Sequence, residues 1–186
     1  MNRRIIDQIV PLEREKWQGH CLYYYSTSHS YYDVEIARTR DDGFNVSFVK
    51  KPFDTPLENN GHDKLFQPWW EDVKAWGIVQ DGRLIAAIET EAEGWSNRLR
   101  ITELWVDKDH RRHGIAKALM DIAMDRAKEE KRRAVILETQ SRNEGAIDFY
   151  LNYGFNLIGF DACCYQNNDL ERKEVRMEFG ILLEPV

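Results

Sequence analysis

Residues 107–116 form a polar turn that leads into a predicted helix, and they have the clearest capacity for chemistry in this sequence. The turn reads Asp-Lys-Asp-His at 107–110, and Arg-Arg-His-Gly-Ile-Ala follows at 111–116. The first turn of a helix offers free backbone N–H donors and a partial positive charge, and a glycine at 114 leaves room for a phosphate group. The spacing lacks the glycines of a dinucleotide-binding loop and the Lys-Ser/Thr end of a P-loop. The segment therefore predicts a pyrophosphate site, with an ordinary basic turn before a helix as the alternative.

Charged residues elsewhere are unevenly distributed. Residues 71–93 hold six carboxylates against Lys74 and Arg83. A basic cluster with two interspersed histidines follows, formed by Lys108, Arg111, Arg112 and Lys117. The chain thus offers one place for an anion and another that favours a cation.

Three strands and a helix must position the polar turn. Asp81-Gly82 separates two apolar stretches, 73–79 and 84–91, and this dipeptide suits the positive φ angles of a type I′ hairpin turn. A third strand at 99–106 alternates two sets of side chains on its two faces. Apolar residues then recur with helical spacing, which predicts a helix over 114–130.

The chain after this helix continues with alternating elements. A short apolar run at 134–137 predicts a buried strand, and a second helix over 144–152 closes at Gly154, which readily adopts the left-handed conformation of a C-cap. Residues 155–165 and 174–179 predict two closing strands. The order β-β-β-α-β-α-β-β predicts a mixed α/β or α+β fold.

The first seventy residues are less informative. Phe44, Val46 and Phe48 alternate and predict a strand that ends near Pro52. Residues 52–68 contain three prolines and Gly61, which predicts a long loop that faces substrate.

Length and composition exclude several classes of protein. A chain of 186 residues with 42% hydrophobic residues suits a single domain over 1–186, with the core of the site in 71–180. Apolar runs of five or six residues are far shorter than the ~18 that a membrane span needs, and the N-terminus lacks the apolar stretch of a signal peptide, so we expect a cytoplasmic protein with no membrane partner. A net charge of −6 disfavours nucleic acid as a partner. Three cysteines without metal-ligand spacing predict reduced thiols and no metal.

Two motifs at matching spacing resemble those of the GNAT acetyltransferase superfamily. The pattern R-x-x-G-x-A at 111–116 resembles its coenzyme A loop, and the pattern N-x-x-A-x-x-F-Y-x-x-x-G-F at 143–155 looks like its second cofactor motif. Residues 95–101, 137–140 and 159–166 are further similar to streptothricin acetyltransferases, a resemblance that covers roughly 70–180. It implies a GNAT fold, with flanking helices and a mostly antiparallel central sheet that splays open beside the strand at 99–106.

The resemblance implies acetyl-CoA as cosubstrate and a set of residues that bind it. Backbone groups at 104–106 would pair with the pantetheine arm, amides at 111–116 would hold the pyrophosphate with His113 as a spacer, and Asn143 would bond a pantetheine amide. The implied cofactor-binding residues are Leu104, Trp105, Val106, Arg111, Arg112, His113, Gly114, Ile115, Ala116, Lys117, Asn143, Ala146 and Tyr150.

The resemblance also implies an acid, and the reaction requires a base. Tyr150 would protonate the departing thiolate, with a half-buried core tyrosine as the alternative. Glu103 is the first candidate for the base, because it lies mid-strand next to Leu104 and Trp105, where burial would raise its pKa. Glu138 is the second candidate base. As alternatives, Glu103 only attracts a cation, or pairs with a neighbouring arginine.

The resemblance to streptothricin acetyltransferases implies a cationic acceptor, a primary amine on a β-lysine chain. Carboxylates and an aromatic ring would attract it. The expected substrate-binding residues are Glu89, Glu103, Glu138, Asp161 and Tyr165. Alternatives are a GNAT enzyme for another cationic amine or a protein N-terminus, and a non-catalytic acyl-CoA sensor. We expect no acyl-cysteine intermediate at Cys163 or Cys164, and a homodimer is possible.

Overall fold

The computed structural model describes residues 5–40 and 43–183. In chain order the strands are β1 Val10–Leu12, β2 Cys21–Thr39, β3 Gly43–Lys64, β4 Val73–Gln80, β5 Arg83–Glu93, β6 Arg98–Val106, β7 Ala134–Gln140, β8 Asn156–Asp161 and β9 Arg176–Leu182. The α-helices are α1 Arg14–Trp17, α2 Ile115–Glu129, α3 Glu144–Tyr153 and α4 Asp169–Arg172. Short 3-10 helices cover Ile5–Gln8 and Lys108–His110.

These elements form two compact units. Among the described residues, the first comprises 5–25, 60–137 and 181–183, and the second comprises 26–40, 43–59 and 138–180. The single domain expected over 1–186 stays a prediction.

The first unit is built on a mostly antiparallel sheet with the strand order β1-β4-β5-β6-β7. The predicted hairpin is confirmed: β4 pairs with β5, and the turn residues Asp81 and Gly82 have φ angles of 48° and 79°. Both values lie in the left-handed region that a type I′ turn requires.

Strand β6 separates from β7 partway along its length. Their parallel pairing runs from Arg98 opposite Ala134 to Arg100 opposite Ile136, whereas β6 pairs with β5 as far as Val106. The alternation predicted for β6 is confirmed, since its odd-numbered residues are buried. The C-terminal half of β6 therefore pairs with β5 but not with β7. This confirms the expected opening of the sheet beside β6.

Helix α2 covers this sheet. It contacts β5 and β6, and its buried apolar residues are Ile115, Leu119, Met120, Ala123 and Ala127. Arg126 joins the buried face, where its Nη1 atom donates to the carbonyl and hydroxyl oxygens of Thr90 at 2.9 and 2.7 Å. A second apolar cluster in the same unit contains Leu12, Trp17, Leu22, Leu65, Phe66, Ala75, Leu84, Ala87 and Trp105.

The second unit contains helix α3 and the antiparallel pair β8 and β9. Helix α3 ends at Gly154 with φ of 114°, which confirms the predicted C-cap. Its first residue, Glu144, accepts hydrogen bonds from the backbone of His29 and from the backbone and hydroxyl of Ser30. These bonds tie the start of α3 to strand β2.

The prediction of a loop at 52–68 was wrong over most of that range. Residues up to Lys64 belong to β3, which pairs with β2 in a two-stranded sheet. Pro52 and Pro56 are four residues apart, so in a regular strand their nitrogens lie on the same edge, and a two-stranded sheet leaves each strand one unpaired edge that tolerates proline.

The strand expected over 155–165 is shorter than predicted. Strand β8 ends at Asp161, because carboxylates capture the backbone that follows. Asp161 accepts from the N–H of Cys163, and buried Asp169 accepts from the N–H groups of Tyr165 and Gln166. Side chains that bind nearby N–H groups compete with strand pairing.

Candidate active site

A bulge in β6 positions the carboxylate predicted as the base. Glu89 on β5 lies opposite Glu103, but Thr90 lies opposite Ile101, so Thr102 is an extra residue on β6. Bulges of this kind re-aim neighbouring side chains and are frequent beside active sites. Here the bulge lies in the half of β6 that is no longer paired with β7.

Glu103 is enclosed in the first unit, with 8% of its surface exposed. The hydroxyl of Tyr24 donates a hydrogen bond to its Oε2 atom. Burial raises the pKa of Glu103 to about 9, and the nearby acids Asp63 and Glu89 raise it further, against the effect of Tyr24. The carboxyl group thus holds a proton at neutral pH with an affinity close to that of an alkyl amine.

Glu89, which the sequence predicts to bind substrate, is enclosed by the protein. It has no exposed surface, and it accepts from the N–H of Phe66 at 2.5 Å and from the hydroxyl of Thr102 at 2.9 Å. Burial raises the pKa of Glu89, and these two hydrogen bonds oppose the rise. In this structure the carboxylate of Glu89 therefore binds the backbone at Phe66 and the bulge residue Thr102, and it does not face an open cleft.

The two arginines on β6 contact a carboxylate on β5. Arg98 and Arg100 both form ion pairs with Glu93, each at 2.7 Å. Burial alone would raise the pKa of Glu93, but hydrogen bonds from Arg100, Ser96 and Arg98 hold it below its usual value. Glu93 is therefore a neutralised carboxylate.

The polar turn after β6 is fixed by its own side chains. Asp107 accepts from the N–H of Asp109 at 3.1 Å and from Nη2 of Arg83 at 2.5 Å. Arg111 donates from Nε to the carbonyl of Val106 at 3.0 Å, and from Nη1 to the carbonyl of Tyr25 at 2.7 Å. Its guanidinium holds the loop against β2 and β6.

The start of helix α2 fits a pyrophosphate group. Gly114 precedes the helix with φ of 78°, and a Cβ placed there would point into open space. Arg112, His113 and Gly114 are exposed, and the first amides of α2 have no intrahelical acceptor. The loop thus presents free donors and an unobstructed approach, while Lys117 pairs with Asp121 one turn along the helix.

A cavity of about 430 Å³ lies beside this loop, within the first unit. Tyr23 and Tyr25 line it, whereas Tyr24 between them bonds Glu103. This follows from the alternation of side chains along a strand. The remaining lining residues are His20, Cys21, Arg83, Leu84, Trp105, Asp107, Lys108 and Asp109.

In the second unit, Tyr150 lies half-buried on helix α3. Its ring packs against the rings of Phe149, Phe155 and Phe179, with centroids 5.7, 6.0 and 6.2 Å away. Asn143 at the start of the same helix donates from Nδ2 to the hydroxyl of Thr139 at 3.1 Å. The half-buried Ala146 lies between them along the helix.

The other residues expected to bind substrate are also in the second unit. Glu138 forms an ion pair with Arg176, and exposed Asp161 caps the turn at Cys163. Tyr165 is 40% exposed, and burial of its hydroxyl, followed by the charge of Glu138, raises its pKa. Asp161 raises the pKa of the Cys163 thiol, which disfavours a nucleophilic thiolate.

Sequence reasoning missed Tyr24, Thr102 and Asp63 as neighbours of the carboxylates. Tyr24 stood out only as part of an aromatic run, and Asp63 lay in the expected loop. The spacing of positions 24, 63 and 103 along the sequence does not link them. They come together only because the strands that carry them lie side by side in the fold.

The longest helix in the described part of the chain, α2, has fifteen residues, and no helix there meets the length and hydropathy of a bilayer span. Within residues 5–40 and 43–183, no three His, Cys, Asp or Glu residues are grouped to hold a metal ion.

Comparison with known proteins places this chain in a family. The model of the acetyltransferase (GNAT) family matches residues 34–155, about two thirds of the chain. A streptothricin acetyltransferase of Streptomyces lavendulae is 30% identical over 78% of each chain, and one of Escherichia coli is 27% identical over 77% of this chain and 88% of its own.

A solved structure supports the fold. It comes from Bacillus anthracis str. Ames and is described as a streptothricin acetyltransferase in complex with acetyl coenzyme A. It superposes with a TM-score of 0.70 at 21% identity, over 95% of this chain and 98% of its own. With the splayed sheet and the glycine-led helix of the first unit, these matches establish that the chain belongs to the acetyltransferase (GNAT) family and is an N-acetyltransferase.

Proposed function

We propose that this enzyme transfers the acetyl group of acetyl-CoA to a primary amine on the β-lysine chain of a streptothricin-type antibiotic, and thereby inactivates the antibiotic. The observation that carries the proposal is the 30% identity to the Streptomyces lavendulae enzyme over 78% of both chains. A match over 153 residues extends well beyond the two cofactor motifs at 111–116 and 143–155. A cytoplasmic location and a homodimer remain predictions.

Acetyl-CoA would be held mainly by backbone groups. Amides of residues 111–116 would bind the pyrophosphate, which agrees with the open approach at Gly114 and the free donors of α2. Residues 104–106 would pair with the pantetheine arm like an added strand, which agrees with the separation of β6 from β7. Arg112 and Lys117 would add charge near the phosphates, and Asn143 would bond a pantetheine amide.

Acetyl-CoA supplies the acetyl group as a thioester, whose carbonyl carbon the neutral amine attacks. Amides of β6 would stabilise the negative charge that develops on the carbonyl oxygen. Before this attack, a base would take one proton from the substrate ammonium. As the carbon–sulfur bond breaks, Tyr150 would donate its phenolic proton to the leaving sulfur, and the nitrogen of the new amide would release its second proton to solvent. After product release, Tyr150 regains a proton from solvent and the base gives its proton to solvent.

Glu103 would be that base. Its pKa of about 9 lies close to that of the substrate ammonium, so proton transfer between the two groups is nearly balanced. An ammonium beside a buried carboxyl group favours the ionised form, which readies Glu103 to accept the proton. Glu138 is proposed as the second candidate for the base, although its carboxylate already forms an ion pair with Arg176.

The acceptor would be recognised by acidic and aromatic groups. Besides Glu103, we propose Glu138, Asp161 and Tyr165. Glu138 would have to share its carboxylate between the guanidinium of Arg176 and the substrate ammonium. The ring of Tyr165, exposed at 40%, offers a face to the cation.

The test is release of free CoA from acetyl-CoA by the purified protein. Streptothricin is compared with polyamines, lysine, aminoglycosides and peptides with free N-termini, and each product is weighed for one added acetyl group. We expect kcat/KM for streptothricin to exceed that of every other amine by at least about 10², the discrimination that buried polar contacts provide. Bacteria that express the protein should tolerate streptothricin, whereas bacteria that express Glu103→Gln should not.

Other outcomes would contradict the proposal in distinct ways. Preferred turnover of a peptide N-terminus or of a polyamine would keep the N-acetyltransferase and reject the antibiotic as substrate. Binding of CoA without turnover on any amine would favour a sensor of acyl-CoA.

A further inference from the structure

Glu103 is surrounded by groups from three strands of the first unit. Tyr24 on β2 donates its hydroxyl to Oε2, Asp63 on β3 faces the same carboxyl group, and Glu89 on β5 is the cross-strand partner. Arg14 acts on Glu89 as a nearby cation. Asp63 and Glu89 oppose ionisation of Glu103, whereas the hydrogen bond from Tyr24 favours it.

The backbone on both sides of Tyr24 is fixed by side chains from the catalytic region. Trp105 donates from Nε1 to the carbonyl of Tyr23 at 2.8 Å, and Arg111 donates from Nη1 to the carbonyl of Tyr25 at 2.7 Å. The Tyr24 ring packs against the apolar cluster of this unit. The hydroxyl of Tyr24 is therefore held in place by the strand and the loop proposed to bind acetyl-CoA.

We propose that Tyr24 is the positioning residue of the base: its hydroxyl holds the Glu103 carboxyl group in one orientation and favours its charged form while the substrate amine gives up its proton. The inference rests on the proposed function, in which Glu103 is the base. It assigns a role in the reaction to the N-terminal strand, where the sequence showed only a run of aromatic residues.

Loss of the phenol hydroxyl should make ionisation of Glu103 harder. The carboxylate would then be buried beside two acids with one hydrogen-bond donor fewer. A hydrogen bond to a charged group corresponds to about one to two pKa units. Tyr24→Phe should therefore move the acidic limb of the kcat–pH profile upward by about one pH unit.

The first measurement is kcat at saturating acetyl-CoA and amine between pH 6 and 10, because this limb reports ionisation within the enzyme–substrate complex. For Tyr24→Phe we expect kcat to be about tenfold lower than in the wild type at pH values below the acidic limb of both enzymes. At high pH kcat should recover, and KM for acetyl-CoA should be unchanged. Tyr31→Phe is the matched control, because Tyr31 lies on the same strand, packs against Phe53 and has no role in the proposed reaction. Equal loss at every pH would overturn the proposal.

A second measurement needs no turnover. Carboxyl-labelled glutamate allows the Glu103 signal to be followed by ¹³C NMR during titration, with Glu103→Gln to assign it. The midpoint should rise in Tyr24→Phe and fall in Asp63→Asn, which removes a nearby negative charge. Midpoints that agree with the wild-type value in both variants would contradict the inference.

Failure of the inference is distinguishable from failure of the proposed function. If Glu103→Gln retains wild-type kcat on the best amine, Glu103 is not the base and the proposed mechanism fails. If Glu103→Gln loses activity and Tyr24→Phe lowers it further in that background, Tyr24 does not act through Glu103. We expect no further loss in the double variant.

Discussion

At the scale of single residues, Tyr150 is the group whose replacement separates chemistry from binding. Tyr150→Phe keeps the ring that packs against Phe155 and Phe179 and removes the proton proposed for the leaving sulfur. We expect kcat to fall by about 10² while the affinity for CoA stays the same. Steady-state kinetics beside calorimetric titration with CoA measures both quantities.

The matched control is Tyr153→Phe. Tyr153 lies on the same helix, is also half-buried and packs against Phe149 and Phe155. A Tyr150→Phe rate within twofold of wild type, or an equal loss in Tyr153→Phe, would rule out the acid role and leave Tyr150 as a packing residue.

Residue types alone predicted several properties of the site. Burial of Glu103 beside Leu104 and Trp105 was expected from its place on the strand, and the raised pKa follows from that burial. The fate of the other carboxylates depends on partners far away in sequence. Glu89 bonds Phe66, and Glu138 pairs with Arg176 thirty-eight positions later, so neither is the free acid that composition suggests.

At the scale of elements, the start of helix α2 is the segment proposed to bind the pyrophosphate. Gly114 has φ of 78°, a conformation that costs an alanine about 1–2 kcal/mol. Gly114→Ala should tilt the first amides of the helix, and we expect KM for acetyl-CoA to rise about tenfold with a smaller change in kcat. Initial rates at varied acetyl-CoA concentration test this.

Gly145→Ala serves as the comparison. Gly145 lies inside helix α3, outside the left-handed region, with no atom within 4 Å of an added Cβ. Alanine there should leave the kinetics unchanged and raise stability by about 0.5–1 kcal/mol. If both variants bind acetyl-CoA like the wild type, the loop before α2 does not hold the pyrophosphate.

Elements with a strong local signal were predicted closely. The hairpin around Asp81-Gly82, helix α2 and the C-cap at Gly154 follow from turn chemistry and helical spacing. Strand β3 was mistaken for a loop, because prolines and polar residues usually mark loops and the partner strand β2 is what makes it a strand. The end of β8 was misplaced because Asp169, beyond the strand, captures the N–H groups that would have extended it.

At the scale of the whole molecule, stability should depend on pH in two opposite ways. The pKa of Glu103 is raised from its unfolded value to about 9, so the folded state holds a proton that the unfolded chain has lost above pH 4.5. Stability therefore falls as pH rises between about 4.5 and 9. The ion pairs of Glu130 and the hydrogen bonds of Glu144 lower those pKa values to about 2, so their contribution is lost as pH falls below about 4.5.

We therefore expect Tm to be highest near pH 5 and to decline towards pH 9. Glu103→Gln, which removes the buried titratable group, should flatten the decline and raise Tm at pH 8 by on the order of 5 °C. Thermal unfolding followed by circular dichroism across this range is the measurement. A decline of the same slope in Glu103→Gln would mean that another group is responsible.

The sequence by itself determined the class of enzyme, the glycine that precedes α2, the hairpin, the main helices and the alternation of β6, because each depends on residues close together in the chain. Tertiary structure alone decided that Tyr24 and Asp63 surround Glu103, that Arg111 braces the loop, and which acids are already paired. Those contacts join strands and loops distant in sequence, and the free energy of a buried charge depends on its neighbours in space.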